Sequence, residues 1–139
     1  MSFLLDTNVI SELRRPAPSP AVLRWFNQFP EDQLSICVLT LGEIQSGIFL
    51  LSAGSKKADL LLWFDHLKDS FRNQIYSIDE MVALKWGEIS AKSSVSGKPM
   101  PIIDGLIAAC ALVNSATLVT RNVIEFEGTD VELFNPWEY

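Results

Sequence analysis

The 139-residue chain has one histidine, two cysteines and a shortage of basic residues. Each shortage excludes something. With His66 alone, a histidine-based metal centre or a Ser-His-Asp triad would hang on one side chain. His66 follows Trp63-Phe64-Asp65 in a helical stretch and reads as a structural or surface residue. Cys37 and Cys110 each sit inside an apolar run, so they read as buried, reduced thiols rather than a disulfide. The net charge is −6, whereas proteins that grip a nucleic-acid backbone through a broad electrostatic face are basic. Any nucleic-acid contact must therefore be local or supplied by a partner. Arg14-Arg15, Lys56-Lys57 and Lys98 are the basic spots available. No apolar run is long enough to cross a bilayer. Met1-Ser2-Phe3-Leu4-Leu5 lacks the basic leader of a signal peptide, so the expected location is cytoplasmic, with no membrane partner.

What is present is core-forming material. The chain is 48% hydrophobic, and its length suits one domain over residues 1–139. Phe3-Leu4-Leu5 reads as a buried strand ending at Asp6. Thr7 to Leu13 starts a short helix, stopped before the Pro16–Pro20 loop. Ser19 with Pro20 suits the start of the next helix, where Val22, Trp25, Phe26 and Phe29 share a face. Leu34 to Val38 is a second strand, followed by a helix from Thr40 to about Leu51. A long amphipathic helix covers Lys57 to Phe71, and Ile75 to Ile78 is a third strand. Ser77 with Glu80 matches a capping box for the helix through Val82, Leu84, Trp86 and Ile89. After a loop over Ser93–Pro101, Ile102 to Val113 is an almost wholly apolar helix. Thr117–Thr120 and Val131–Phe134 are the last strands. Strands alternating with helices predict an α/β fold, a mostly parallel sheet of about five strands flanked by helices.

In such sheets ligands gather beyond the carboxyl ends of the strands. That rule sorts the acidic residues. Asp6 follows the first strand, Glu43 lies in the first turn of the helix after the second, and Asn122 lies two residues past the fourth. Asp104 joins them if its helix begins near the same edge. Carboxylates at close range stay ionised together only around a cation; otherwise a pKa rises. Oxygen donors without His or Cys suit Mg²⁺ or Mn²⁺ better than Zn²⁺. Each acid also has a plainer role. Asp6 can cap the following helix, Thr40-Leu41-Gly42-Glu43 matches a capping box, and Asp104 can serve a helix dipole. Asp104 is the hardest to explain that way, because Ile102, Ile103, Leu106 and Ile107 surround it.

Four segments in order resemble one family. They are Leu4-Leu5-Asp6-Thr7-Asn8-Val9-Ile10-Ser11-Glu12; Thr40-Leu41-Gly42-Glu43-Ile44 with Gly47; Ile103-Asp104-Gly105-Leu106-Ile107-Ala108-Ala109; and Leu118-Val119-Thr120-Arg121-Asn122. Together with the tail Val131–Trp137 they resemble PIN domains, and within these the VapC-type toxins of toxin–antitoxin pairs, including the FitB-like branch. The resemblance spans essentially the whole chain. It implies a single PIN domain and a Mg²⁺- or Mn²⁺-dependent endoribonuclease with Asp6, Glu43 and Asp104 as metal ligands. It also implies homodimerisation and a cognate antitoxin that carries the DNA-binding part. The family's fourth acidic position falls at Asn122, which brings no charge, so a second metal is expected to bind weakly. Glu125 is placed to compensate, and Thr7, Asn8 and Thr120 are expected as supporting polar groups.

The expected reaction is hydrolysis of an RNA phosphodiester by a metal-activated water, with no nucleophilic side chain. Asn122 also motivates a second reading, a weakly active or non-catalytic subunit of a DNA-binding regulatory complex. A third, a phosphohydrolase of the haloacid dehalogenase kind, starts from Asp6-Thr7-Asn8 but meets Asn8 where its motif needs a second acid.

Overall fold

Three apolar residues in a row suit a strand buried on both faces. In the computed structural model, which describes residues 1–139, they form the centre of the sheet. β1 (Phe3–Leu5) lies between β2 (Leu34–Cys37) and β4 (Thr117–Val119). β3 (Ile75–Tyr76) and β5 (Leu133–Phe134) flank these, giving the order β3-β2-β1-β4-β5. Every pairing is parallel. Alternation along the strands divides the core. Phe3, Leu5, Leu34 and Ile36 point to one side; Leu4, Cys37 and Leu118 point to the other.

Helices cover both faces. α1 (Thr7–Arg14), α2 (Pro20–Phe26), α3 (Val38–Phe49) and α4 (Ser55–Ser70) pack on the first, through Val9, Ile10, Val22, Trp25, Ile44, Ile48 and Phe64. α5 (Glu80–Val95) and α6 (Ile102–Val113) pack on the second, through Val82, Ile89 and Ile107 to Ala111. Each fully buried Leu or Ile contributes roughly 1.5–3 kcal/mol. Gly105 lets α5 approach α6 closely, since a Cβ there would meet the Trp86 ring at 3.0 Å. An aromatic chain ties the tail to the sheet. Phe3 meets Trp25 edge-on at 5.2 Å, and Trp25 stacks on Phe134 at 5.5 Å.

The expected elements are all present, with shifted boundaries. α3 begins at Val38, directly after β2, and not at Thr40. Thr40 is fully buried and caps nothing, so the Thr40–Glu43 capping box does not form, and Glu43 lies in the second turn. Asp79, not Ser77, caps α5, accepting from the Val82 N–H at 3.0 Å. α5 also runs on through Ser93 and Ser94 to Val95. Ser19 makes no side-chain cap; its own N–H donates to the buried Glu12 Oε2 at 2.8 Å. Phe29 lies beyond α2 yet still packs on Phe3. The β3 and β5 strands are shorter than the apolar runs that announced them. Cys37 and Cys110 are buried and free, and His66 is exposed. No helix is long and apolar enough to cross a membrane.

Candidate active site

Strand order runs outward from β1 in both directions, so the chain reverses between β1 and β4. Parallel sheets open a crevice there, beyond the carboxyl ends of the strands. Asp6 follows β1 directly, and Thr120 follows β4. The Thr120 hydroxyl donates to Asp6 Oδ2 at 2.8 Å, and the Thr7 N–H donates to Oδ1 at 2.8 Å. The Asp6 N–H in turn donates to the Val119 carbonyl at 2.9 Å. Asp6 is thus both the cap of α1 and a buried carboxylate aimed into the crevice.

Neighbouring polar groups hold this arrangement. The Asn8 amide donates to Thr120 Oγ1 at 3.1 Å, and Asn8 Oδ1 accepts from the Arg121 N–H at 3.3 Å. The Asn122 N–H also donates to Thr120 Oγ1 at 3.1 Å. The Thr7 hydroxyl donates to Glu43 Oε1 at 2.7 Å and lies 3.3 Å from Thr40 Oγ1. A threonine on α1 therefore steers a glutamate on α3.

α6 leads into β4, so it starts at the carboxyl edge of the sheet and delivers Asp104 in its first turn. The result is a polar cleft of about 570 Å³ lined by Asp6, Thr7, Asn8, Glu43, Asp104 and Asn122. Ser11, Glu12, Arg14, Arg15, Arg121 and Trp137 complete its walls. Asp6, Glu43, Asp104 and Asn122 thus come together. Glu125 is not among the walls, but its charge reaches both Asp6 and Asp104. Lys98 lies elsewhere, in a cleft with Glu125 and Thr129.

The electrostatics follow from crowding in a half-dry place. Burial pushes the Asp6 carboxyl above its ordinary value; the bonds from Thr120 and Thr7 pull against this, and Glu43 and Glu125 push with it. Burial also raises Asp104, to about 6, helped by Asp6, Glu125 and Glu43. Both acids resist ionising in the bare cleft, and an added cation would relieve that. No three acidic, histidine or cysteine side chains stand together as a ready-made ion cage. The donors that face the cleft are nonetheless oxygens, as Mg²⁺ or Mn²⁺ requires, while His66 lines an apolar cavity among α1, α2 and α4.

The arginine and tryptophan walls were only partly foreseen. Arg14-Arg15 stands out in the sequence as a basic pair. Arg121 carried a signal in its place directly after the strand read at Thr117–Thr120. Trp137 carried none until β5 was seen to pair with β4, which brings the tail to the carboxyl edge.

Known proteins share this architecture. The family model described as "PIN domain" matches residues 3–130. Toxin FitB of Neisseria gonorrhoeae is 37% identical over 138 residues, covering 96% of this chain and 97% of that protein. Ribonuclease VapC1 of Haemophilus influenzae is 30% identical over 127 residues, covering 91% of each. The crystal structure of FitAcB from Neisseria gonorrhoeae superposes with a TM-score of 0.92 at 36% identity, covering 99% of each chain. A parallel five-stranded sheet with an acidic crevice at its reversal point, matched over nearly its whole length by such relatives, places this chain in the PIN-domain family.

Proposed function

We propose that the chain is a Mg²⁺- or Mn²⁺-dependent endoribonuclease, the toxin of a toxin–antitoxin pair, acting in the cytoplasm. The observation that carries this is the shared cleft. Asp6 from the end of β1 and Asp104 from the start of α6 face it with Glu43, and burial and mutual repulsion hold both aspartates back from ionising. Asp6, Glu43 and Asp104 would hold the ion. When bound, it supplies a water of lowered pKa and neutralises charge at the phosphate. Thr7 aims Glu43, and Thr120 holds Asp6 with Asn8 behind it. Asn122 contributes a neutral amide where a fourth acid would strengthen a second ion. Without a cation the acids repel RNA, so cleavage depends on one.

The relatives' names support the assignment: one is called a toxin and another a ribonuclease. A toxin nuclease needs an inhibitor, so a cognate antitoxin is the partner proposed, in an assembly built on a homodimer of this chain. At −6 the chain is a poor DNA binder by itself. DNA contact is assigned to the antitoxin. Membership of the PIN family leaves the haloacid dehalogenase reading without support.

The test is cleavage of RNA by purified protein with Mg²⁺ or Mn²⁺, with and without EDTA, beside Asp6→Ala and Asp104→Asn. Cleavage is expected only with the cation and the native acids. Activity that survived EDTA, or both substitutions, would overturn the proposal. Co-expression of the antitoxin is expected to restore growth of cells making the protein.

A further inference from the structure

Two arginines that line the acidic cleft each stand over a tryptophan ring. Arg14, the last residue of α1, sits with its guanidinium carbon 5.9 Å from the centre of the Trp63 ring on α4. Arg121, just past β4, lies 5.0 Å from the centre of the Trp137 ring in the tail. Arg14, Arg121 and Trp137 line the cleft itself; Trp63 lines the adjoining groove, where Arg14 and Glu43 also stand.

Charge makes this placement informative. The chain carries 17 acids against 11 bases, and the cleft is rich in carboxylates. Yet neither Arg14 nor Arg121 forms an ion pair, whereas Arg15, which also lines the cleft, pairs with Glu12 at 3.3 Å. Both unpaired arginines are exposed. A guanidinium resting on an indole spends its flat face on the ring and leaves its N–H edge free. That edge matches a phosphate, and the ring restricts the side chain before any ligand arrives.

We propose that Arg14 and Arg121, each beside a tryptophan ring, are positioning residues that grip backbone phosphates of the RNA in the cleft. This rests on the reading that the cleft cuts RNA, and it names residues that hold that substrate.

The experiment measures binding of a short, fluorescein-labelled 2′-O-methyl RNA by anisotropy, with Ca²⁺ as the cation, across a salt series. The proteins are the wild type, Arg14→Gln, Arg121→Gln, Arg121→Lys, Trp137→Leu and, as a remote control, Lys85→Gln. Each glutamine variant is expected to weaken binding about three- to tenfold and to lower the slope of log affinity against log salt by about 0.7. Arg121→Lys keeps the charge, so it keeps the slope, but it loses part of the affinity. Trp137→Leu is expected to weaken binding without changing the slope. Lys85→Gln matches the wild type. Unchanged affinity and slope in both glutamine variants would overturn the proposal. Failure of the nuclease reading looks different: the wild type would bind with the arginine-dependent slope yet never cleave RNA. A wild type that cleaves while the arginine variants keep their KM leaves the nuclease reading standing and removes the clamp.

Discussion

Asp104 carries the sharpest single-residue prediction. Its folded carboxyl titrates near 6 against an ordinary 3.8, because burial and the charges of Asp6, Glu125 and Glu43 disfavour the anion. A raised carboxylate means that the folded state holds its proton longer than the unfolded state. Metal-free stability therefore falls as pH rises from about 4 to about 6. The melting temperature in EDTA is expected to decline across that window for the wild type, and to decline less for Asp104→Asn. Mn²⁺ needs the anion, so calorimetric affinity for Mn²⁺ is expected to rise with pH through the same range. Thr120 is the second test at this scale. It is fully buried and donates to Asp6 while accepting from Asn8 and Asn122. Thr120→Val is expected to cost about 1–3 kcal/mol in urea denaturation, since it leaves buried polar groups without a partner.

The helix starts show where sequence patterns mislead and where they do not. Ser77-x-x-Glu80 and Asp79 are both plausible caps for α5, and Asp79 wins because its side chain reaches the Val82 N–H. Asp79→Ala is expected to cost about 1 kcal/mol of stability and Ser77→Ala close to nothing. α3 is more instructive. Its capping-box pattern suggested a start at Thr40, but β2 runs straight into the helix and Thr40 is buried against Thr7. That shift removes the capping role offered for Glu43, which stands exposed in the second turn. Glu43→Gln is therefore expected to leave stability within about 0.5 kcal/mol while lowering RNA cleavage at least about tenfold. The apolar helix α6 was legible as a core element, and Ile107 to Ala111 are buried, but Ile102 and Ile103 in its first turn stand exposed. Strand ends were less so, because β3 and β5 are edge strands, and their hydrogen-bonded extent depends on neighbours far away in sequence.

At the scale of the molecule, the sheet explains the site. A parallel order that reverses between β1 and β4 brings residues 6 and 120 into contact, which no local pattern could announce. The acids were legible because strand and helix termini could be sorted to one edge. Of the arginine and tryptophan walls only Arg14-Arg15 was, because the rest depends on α4 and the C-terminal tail folding back to that edge. The same argument isolates Asn122. It is exposed at the cleft wall, so Asn122→Asp is expected to increase the Mn²⁺ bound per chain at saturation. A large gain in cleavage with it would favour the weakly active regulatory reading. The central claim is that Asp6, Glu43 and Asp104 jointly hold a divalent cation. Anomalous diffraction from crystals soaked in Mn²⁺ tests it most directly. The predicted result is a peak about 2.1 Å from oxygens of Asp6 and Asp104, with Glu43 drawn toward it. A cleft without a peak in crystals of protein that cleaves RNA would contradict the account.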